Sequence, residues 1–378
     1  MELVNTLEFH KNNLGESVEE YAKRKRVELA HEIRLSKKIY LDTKYWILLR
    51  DARIRRNVDD NILRLLRLLE TLVESGLAVC PISAETFSEI FKQSDIKTLR
   101  ATVQIIDDLS RGITILNLFE RLDLEVFHFV CTKTKKAESV YSLDELVWTK
   151  IAYVMGFVTP SLKTLSPDIN CAMQKAFIDQ MWTISLTDML GQIYTRATRW
   201  KPIFLDFSQE LNEGKFSHIE EHNSFKQMFL AELAGILDFY KPSFKSLMEY
   251  IYESETGRKI TAEEISSDDA GQKVANFIYH AFRLNKITSE LPSFRVSAGI
   301  HAAVRWDKER KYKPNDLYDF HHATDAIPYY DYFLTEHSLR HLVSSKNLNF
   351  DTLFHCKTIS DINDAINELS QISPIKNE

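Results

Sequence analysis

Short apolar runs alternate with helical patterns in the first third of the chain. The run "KKIYL" ends at Leu41, "LAVCPIS" ends at Ser83, and "ITIL" follows a further helical pattern. Amphipathic segments such as "NVDDNILRLLRLLETLVESG" separate these runs, with leucines at three- and four-residue spacing. Strands that alternate with helices of this length predict a parallel sheet covered by helices on both faces. The sequence therefore predicts an α/β fold.

The alternation stops near residue 119 and returns near residue 312. The intervening segments, such as "SFKQMFLAELAGILDFY", have the amphipathic pattern of helices that pack on helices. The strand signal returns in "YYDYFLT" and "LFHCKTIS", before a closing helix in "DINDAINELSQI". We therefore predict an exposed N-terminal charged helix within residues 1–36, an α/β domain formed by residues 37–118 and 312–378, and an all-helical insertion at residues 119–311.

Composition and charge exclude several classes of protein. The chain has 378 residues, of which 44% are hydrophobic, so it can build a sizeable core. It contains no apolar run of the roughly 18 to 20 residues that a membrane helix needs, and its first residues lack the pattern of a signal peptide. We therefore expect a cytoplasmic location and no membrane partner. A net charge of -6 argues against a generally basic surface for nucleic acid, although a local basic patch can still bind an anion.

Two carboxylates follow the first two predicted strands. Asp42 comes directly after "KIYL", and Glu89 lies one or two turns into the helix after "AVCPIS". In an open parallel sheet, functional groups gather beyond the carboxyl ends of the strands. We therefore expect Asp42 and Glu89 to lie on the functional edge of the sheet.

A third group of acids lies in "NDLYDFHHATDAIPYYDYFLTEHS". Asp319 is three residues from both Asp316 and His322, so these side chains share one side of a helix, with Asp316 as the expected cap. Asp325 is rotated well away from Asp319, and we expect it at the surface. Asp331 opens the following strand and Glu336 closes it, so spacing alone does not choose which of the two joins Asp319.

Carboxylates that converge from different elements repel one another unless a cation lies among them. Mg²⁺ and Mn²⁺ take oxygen ligands, keep several waters and suit phosphate chemistry. The expected metal ligands are therefore Asp42 and Asp319, completed by Asp331 or Glu336. Glu89 joins them as a fourth candidate catalytic acid.

The motifs "IYLDT", "ISAETFSEI" and "DFHHATDAIPYYDYFLTE" resemble the acidic motifs of PIN-domain nucleases in their order and setting. The resemblance covers the two α/β segments and implies a PIN-like parallel sheet. It also implies an endonuclease that depends on Mg²⁺ or Mn²⁺ and cleaves RNA rather than DNA. Bacterial toxins are prominent in that family, so a toxin or defence effector, restrained by an antitoxin or regulatory protein, is the implied setting.

A basic segment, "RWDKERKYKP", immediately precedes the acidic helix. It carries the three cations that we expect to bind the phosphate backbone of a substrate: Arg305, Arg310 and Lys311. A second copy of the chain is a further partner that the sequence leaves open.

Two alternatives remain at this point. The insertion, and Glu336 where the family usually has an aspartate, would suit a degenerate PIN-like module that binds nucleic acid or protein without cleaving. A HEPN-type ribonuclease would instead use an arginine and a histidine on a helix, without metal. The pairs Arg26 with His31 and Arg295 with His301 have that spacing.

Overall fold

The computed structural model describes residues 3–54, 59–133, 141–193, 207–217, 222–258 and 269–373. These residues form a mixed α/β fold that is mostly helical, with a four-stranded parallel sheet in the order β2-β1-β5-β6. A two-stranded sheet pairs β3 with β4. The strands are β1 Lys37–Leu41, β2 Ala78–Val79, β3 Ile113–Ile115, β4 Trp148–Lys150, β5 Tyr332–Leu334 and β6 Lys357–Ile359.

Helices connect and cover the strands. Those of the first segment are α1 Leu7–Lys11, α2 Val18–Glu32, α3 Thr43–Arg53, α4 Asp60–Glu74, α5 Ala84–Ile90 and α6 Ile96–Ser110. Those of the middle of the chain are α7 Leu118–Lys133, α8 Leu143–Leu146, α9 Pro167–Trp182, α10 Leu186–Ile193, α11 Ser208–Ser217, α12 Phe225–Thr256, α13 Asp269–Arg283 and α14 Pro292–Trp306. The last are α15 Asp316–Ala326, α16 His337–Val343, α17 Phe350–Phe354 and α18 Ile362–Leu369.

The alternation of side chains along the strands creates two cores, one on each face of the parallel sheet. Ile39 and Leu41 point to one face and pack with α3, α4, α6 and α18. Tyr40 and Phe333 point to the other face and pack with α14, α15 and α16. Helices therefore cover both faces, which is the arrangement that the strand–helix alternation predicts.

The run "ITIL" forms a strand, but not one of the parallel sheet. β3 pairs antiparallel with β4, and a single bridge between Ile82 and Thr114 links it to the chain beyond β2. The sequence prediction of an all-helical insertion is wrong here, because Trp148 and Thr149 form a strand inside it. Both residue types favour strands, and both side chains are buried.

The insertion has its own core, formed by α7, α12, α13 and α14. Phe244 of α12, Ile278 of α13 and Phe294 of α14 are buried together in it. Along α14, Val296 and Ile300 instead face the core of the sheet. Helix α14 therefore packs on the insertion with one side and on the α/β domain with the other.

The N-terminal charged helix is less exposed than expected. Helix α2 begins with a capping box between Ser17 and Glu20, and it buries Tyr21 and Leu29. Its buried side packs against α8, α9 and β4. Among the helices that the structure describes, none is long and apolar enough to cross a membrane.

Two glycines of the insertion differ in the space around them, so their substitution by alanine tests how its helices pack. A methyl group on Gly271 of α13 would collide with the backbone carbonyl of Lys241 in α12, whereas one on Gly235 of α12 meets no atom within 4 Å. We expect Gly271→Ala to lower the free energy of unfolding by roughly 1–3 kcal/mol, because backbone cannot yield as a side chain can. Gly235→Ala should raise it by roughly 0.5–1 kcal/mol.

Urea denaturation of the two variants beside the parent chain measures both changes. If Gly271→Ala proved as stable as Gly235→Ala, the close approach of α12 and α13 would be refuted.

Candidate functional site

Asp42 stands where β1 ends and α3 begins. Its backbone N–H donates to the carbonyl of Leu334 at 3.1 Å, which fixes it beside the end of β5. The carboxylate caps α3 by accepting from the Tyr45 N–H at 3.3 Å, and the Thr335 hydroxyl also hydrogen-bonds it. Asp42 is 6% exposed, and burial raises the pKa of its carboxyl despite these donors.

Asp319 lies in the first turn of α15, on the same edge of the sheet. Burial raises the pKa of Asp319 to about 7, and the charges of Asp42, Glu336 and Asp316 push it in the same direction, while His322 opposes them. Within the described chain, no hydrogen bond reaches the Asp319 carboxylate. The carboxylates at this edge of the sheet therefore carry more negative charge than the hydrogen-bond donors around them offset.

Glu89 is held differently from the two aspartates. It lies on α5, where the Thr43 hydroxyl donates to it and the His322 ring contacts it through Nε2 at 2.9 Å. The other ring nitrogen, Nδ1, is 2.6 Å from the Tyr40 hydroxyl. Burial alone would lower the pKa of His322, but the adjacent Glu89 carboxylate raises it to about 9. The contact with Glu89 therefore favours the imidazolium form of His322, and the same contact lowers the pKa of Glu89.

The sequence placed His322 on the Asp319 side of the helix but gave no sign of its charge. That charge depends on Glu89, which comes from a distant segment. Tyr40 and Thr43 were also not foreseen as partners of the site. The three-residue spacing between Asp319 and His322 was the one available signal.

Glu336 lies near Asp42 and Asp319, whereas Asp331 does not. Glu336 is an exposed residue that precedes α16, and its charge raises the pKa of both Asp42 and Asp319. Asp331 lies at the opposite, amino-terminal edge, because it comes before β5 and the sheet is parallel. Its carboxylate accepts from Lys37 Nζ at 2.7 Å and from the Lys38 N–H at 2.8 Å. Four residues of strand, about 13 Å, separate the two levels.

Two further aspartates of this segment differ from the sequence expectation. Helix α15 begins at Asp316 itself, and the carboxylate accepts from the Lys313 N–H at 3.1 Å instead of capping the helix. Asp325 is 0% exposed and not at the surface, because Arg121 of α7 forms a buried ion pair with it.

The three cations expected to bind substrate have different environments. Arg305 forms an ion pair with Glu232 of α12, so its charge is already offset inside the fold. Arg310 is partly buried, with Nη2 at 3.9 Å from Asp316. Lys311 is exposed, with its amine 5.9 Å from the centre of the Phe216 ring. Arg310 and Lys311 thus remain candidates for phosphate contact, while Arg305 has a structural partner.

The arginine and histidine of each HEPN-type pair have separate neighbours. Arg295 donates to the carbonyl of Ile287 at 2.7 Å, whereas His301 packs edge-on against Phe320. In the other pair, Arg26 lies over the Phe157 ring and His31 contacts Glu145. The structure therefore does not join either pair into one site.

The acids at this edge suit a hard divalent cation better than a softer metal. Among the described residues, no three or more His, Cys, Asp or Glu side chains stand together as a ready-made metal site. Mg²⁺, however, is commonly bound through one or two carboxylates, with water and substrate phosphates as the other ligands. Asp42 and Asp319, whose pKa values are raised by burial, fit that donor set, and exposed Glu336 can add a third oxygen ligand.

Comparison with known proteins adds no family to this picture. No family model, curated protein or solved structure matches the chain. A functional proposal therefore depends on the geometry of the site and on the motifs quoted above.

The charge of Asp319 can be tested through pH-dependent stability. An acid whose pKa is higher in the folded than in the unfolded chain destabilises the fold once it ionises. For Asp319, the loss in free energy of unfolding begins near pH 4, the ordinary pKa of an aspartate, and is complete above about pH 7. In EDTA, we expect Asp319→Asn to be more stable than the parent by a few kcal/mol at pH 8. The gain should be clearly smaller at pH 5, as measured by urea denaturation.

The matched control is Asp331→Asn, which removes a carboxylate that is already bonded to Lys37 and Lys38. It should bring no gain in stability at either pH. An Asp319→Asn gain that does not grow with pH would contradict the raised pKa of Asp319.

Proposed function

We propose that the chain is a metal-dependent endonuclease with a PIN-like fold that hydrolyses phosphodiester bonds in RNA. One observation carries the proposal: Asp42 and Asp319, from distant parts of the sequence, lie near enough to each other that the charge of Asp42 raises the pKa of Asp319. Neighbouring buried carboxylates whose charge is not fully offset are stabilised directly by a divalent cation.

Asp42, Asp319 and Glu336 are the residues that would hold Mg²⁺ or Mn²⁺. When bound, such an ion supplies an acidified water and offsets the charge that develops on the phosphodiester. The chain itself orients the ligands: the Thr335 hydroxyl and the Tyr45 N–H hold the Asp42 carboxylate in place. His322 keeps Glu89 in place and adds a fixed positive charge beside the acids.

The placement of the acids supports the PIN-like part of the proposal. One acid follows β1, one lies on the helix after β2, one lies at the start of α15, and one follows β5. That is the order in which the motifs of the family occur. The basic segment leads directly into α15, so Arg310 and Lys311 lie close in sequence to Asp319 and suit contact with the phosphate backbone.

Several finer parts of the proposal rest on the family resemblance alone. These are the preference for RNA over DNA, a role as toxin or defence effector, restraint by an antitoxin or regulatory protein, and a cytoplasmic location.

A second candidate is a PIN-like module that binds nucleic acid or protein without cleaving it. It is favoured by the state of Glu89, whose carboxylate is already engaged by Thr43 and His322. Arg305 is likewise engaged by Glu232. Two of the residues expected to act on substrate thus already have partners within the chain.

Cleavage of defined substrates separates the two candidates. The full chain is incubated with end-labelled single-stranded RNA and DNA in Mn²⁺, in Mg²⁺ or in EDTA. We expect RNA to be cut only with metal, and Asp42→Asn or Asp319→Asn to slow the cut by about 100-fold or more. Asp331→Asn, on the other edge of the sheet, should cleave at nearly the parent rate.

Three outcomes would contradict the nuclease proposal. They are cleavage that persists in EDTA, cleavage that survives both Asp42→Asn and Asp319→Asn, and RNA binding without any cleavage in Mn²⁺. The last outcome would support the binding module.

A further inference from the structure

The basic segment that precedes α15 is held from one side by helix α11 of the insertion. Asn212, Lys215 and Phe216 share one side of α11, because they are three and four positions apart. All of them contact residues 304–312, which lead from the last turn of α14 towards α15. One side of α11 therefore lies along the segment that carries the cations expected to bind substrate.

The amine of Lys215 is buried among backbone carbonyls of this segment. Lys215 is 2% exposed, and its Nζ donates to the carbonyl of Val304 at 2.8 Å and to those of Asp307 and Arg310. A lysine amine has three N–H donors, so these carbonyls use all of them. A buried cation is stable only when it is satisfied in this way. Lys215 therefore fixes the path of the backbone as it leaves α14.

Asn212 fixes the other end of the segment. Its side chain accepts from the Tyr312 N–H at 2.8 Å and donates to the Tyr312 carbonyl at 3.0 Å. The Tyr312 ring is buried and lies edge-on to Phe320 of α15, with the ring centres 6.3 Å apart. Phe320 directly follows Asp319 in the sequence. The segment is thus anchored both to α11 and to the helix that carries a candidate metal ligand.

The side chains along this anchored backbone are mainly exposed cations. Lys308, Lys311 and Lys313 are exposed, and Arg310 is partly buried. Lys311 lies beside the ring of Phe216, which is 48% exposed. An exposed ring beside a cation suits the bases and phosphates of a single strand. Cations on a fixed backbone also lose less conformational freedom on binding than cations on a flexible loop.

The acids of the same stretch are fewer than its cations. Asp307 is occupied with the local backbone, because its Oδ1 accepts from the N–H groups of Glu309 at 3.0 Å and Arg310 at 3.2 Å. Glu309 is exposed among the lysines. The exposed side of the segment therefore favours an anionic partner.

We propose that α11 and the basic segment together form a surface that binds the phosphate backbone of single-stranded RNA. Lys311 contacts phosphate, and Lys215 is a positioning residue that holds the cations in place. The inference rests on the proposed nuclease function, because the same RNA would be the substrate of the acids at the carboxyl edge. It gives the helical insertion a part in binding that substrate.

RNA binding can be measured apart from cleavage, by fluorescence anisotropy of a labelled oligouridine with the full chain in EDTA over a range of salt concentrations. We expect Lys311→Gln to weaken binding severalfold and to reduce the slope of log affinity against log salt by about 0.7, the loss of one phosphate contact to a single strand. Lys215→Met should weaken binding by about tenfold and reduce the slope further, because it releases several cations at once.

The matched control is Lys175→Met. Lys175 is 1% exposed, and its amine donates to the carbonyls of Asn13 at 3.0 Å and Glu16 at 2.9 Å, between α1 and α2. This variant loses a similar buried amine, so it should lose stability while RNA affinity and the salt slope stay unchanged. Unfolded molecules lower the active fraction but not the slope, so the slope reports on phosphate contacts.

Two further measurements keep the test decisive. If Lys215→Met does not fold, Asn212→Ala removes the other anchor, and Lys311→Gln changes only an exposed side chain. In cleavage assays with Mn²⁺, Lys215→Met should raise KM and leave kcat near the parent value, since it alters the binding of substrate and not the acids.

Three results would overturn the proposal. They are a parent chain that does not bind the RNA, a Lys311→Gln or Lys215→Met variant that binds as the parent does, and a Lys175→Met variant that binds as weakly as Lys215→Met. Either of the last two, in a chain that cleaves RNA, would leave the nuclease proposal standing. Binding that depends on Lys311 and Lys215 without any cleavage would instead support the surface and contradict the nuclease.

Discussion

The parallel pairing of β1 with β5 is the interaction on which the rest of the structure depends. It joins the two halves of the α/β fold across nearly the whole chain, with Ile39 opposite Tyr332 and Leu41 opposite Leu334. Because both strands run the same way, the residues that follow them meet at one edge, where Asp42 hydrogen-bonds the backbone of Leu334. Parallel strands need a long crossover, and here the crossover contains the whole helical insertion. Without this pairing, neither acid would have the other as a neighbour.

The site that this pairing creates has an uneven distribution of charge. His322 contacts Glu89 and Tyr40, and the Glu89 carboxylate raises its pKa, so the pair offsets part of the charge of one acid and orients that acid. Asp42 and Asp319 receive less compensation, and burial raises the pKa of both. Hard divalent cations bind where carboxylates are close, partly desolvated and short of donors. Under the proposed function, a divalent cation would supply the further positive charge at this edge.

The sequence predicted the parts of this fold that depend on local patterns. Strand–helix alternation indicated the parallel sheet, and the position of Asp42 after an apolar run indicated the carboxyl end of β1, where the structure has it. Features that depend on a distant partner could not be read in this way. Asp325 looked like a surface charge because its partner, Arg121, comes from the insertion. The choice between Asp331 and Glu336 needed the direction of β5 relative to β1, which is a tertiary property.

The claim that Asp42 and Asp319 share one metal ion can be tested directly by crystallography. Crystals soaked in Mn²⁺ are measured near the manganese absorption edge, where anomalous scattering locates the ion without reference to its ligands. The account predicts a peak within about 2.0–2.4 Å of a carboxylate oxygen of Asp42 and of Asp319, with waters as further ligands. Mn²⁺ bound only elsewhere, or no ordered peak at this edge at millimolar Mn²⁺, would contradict it.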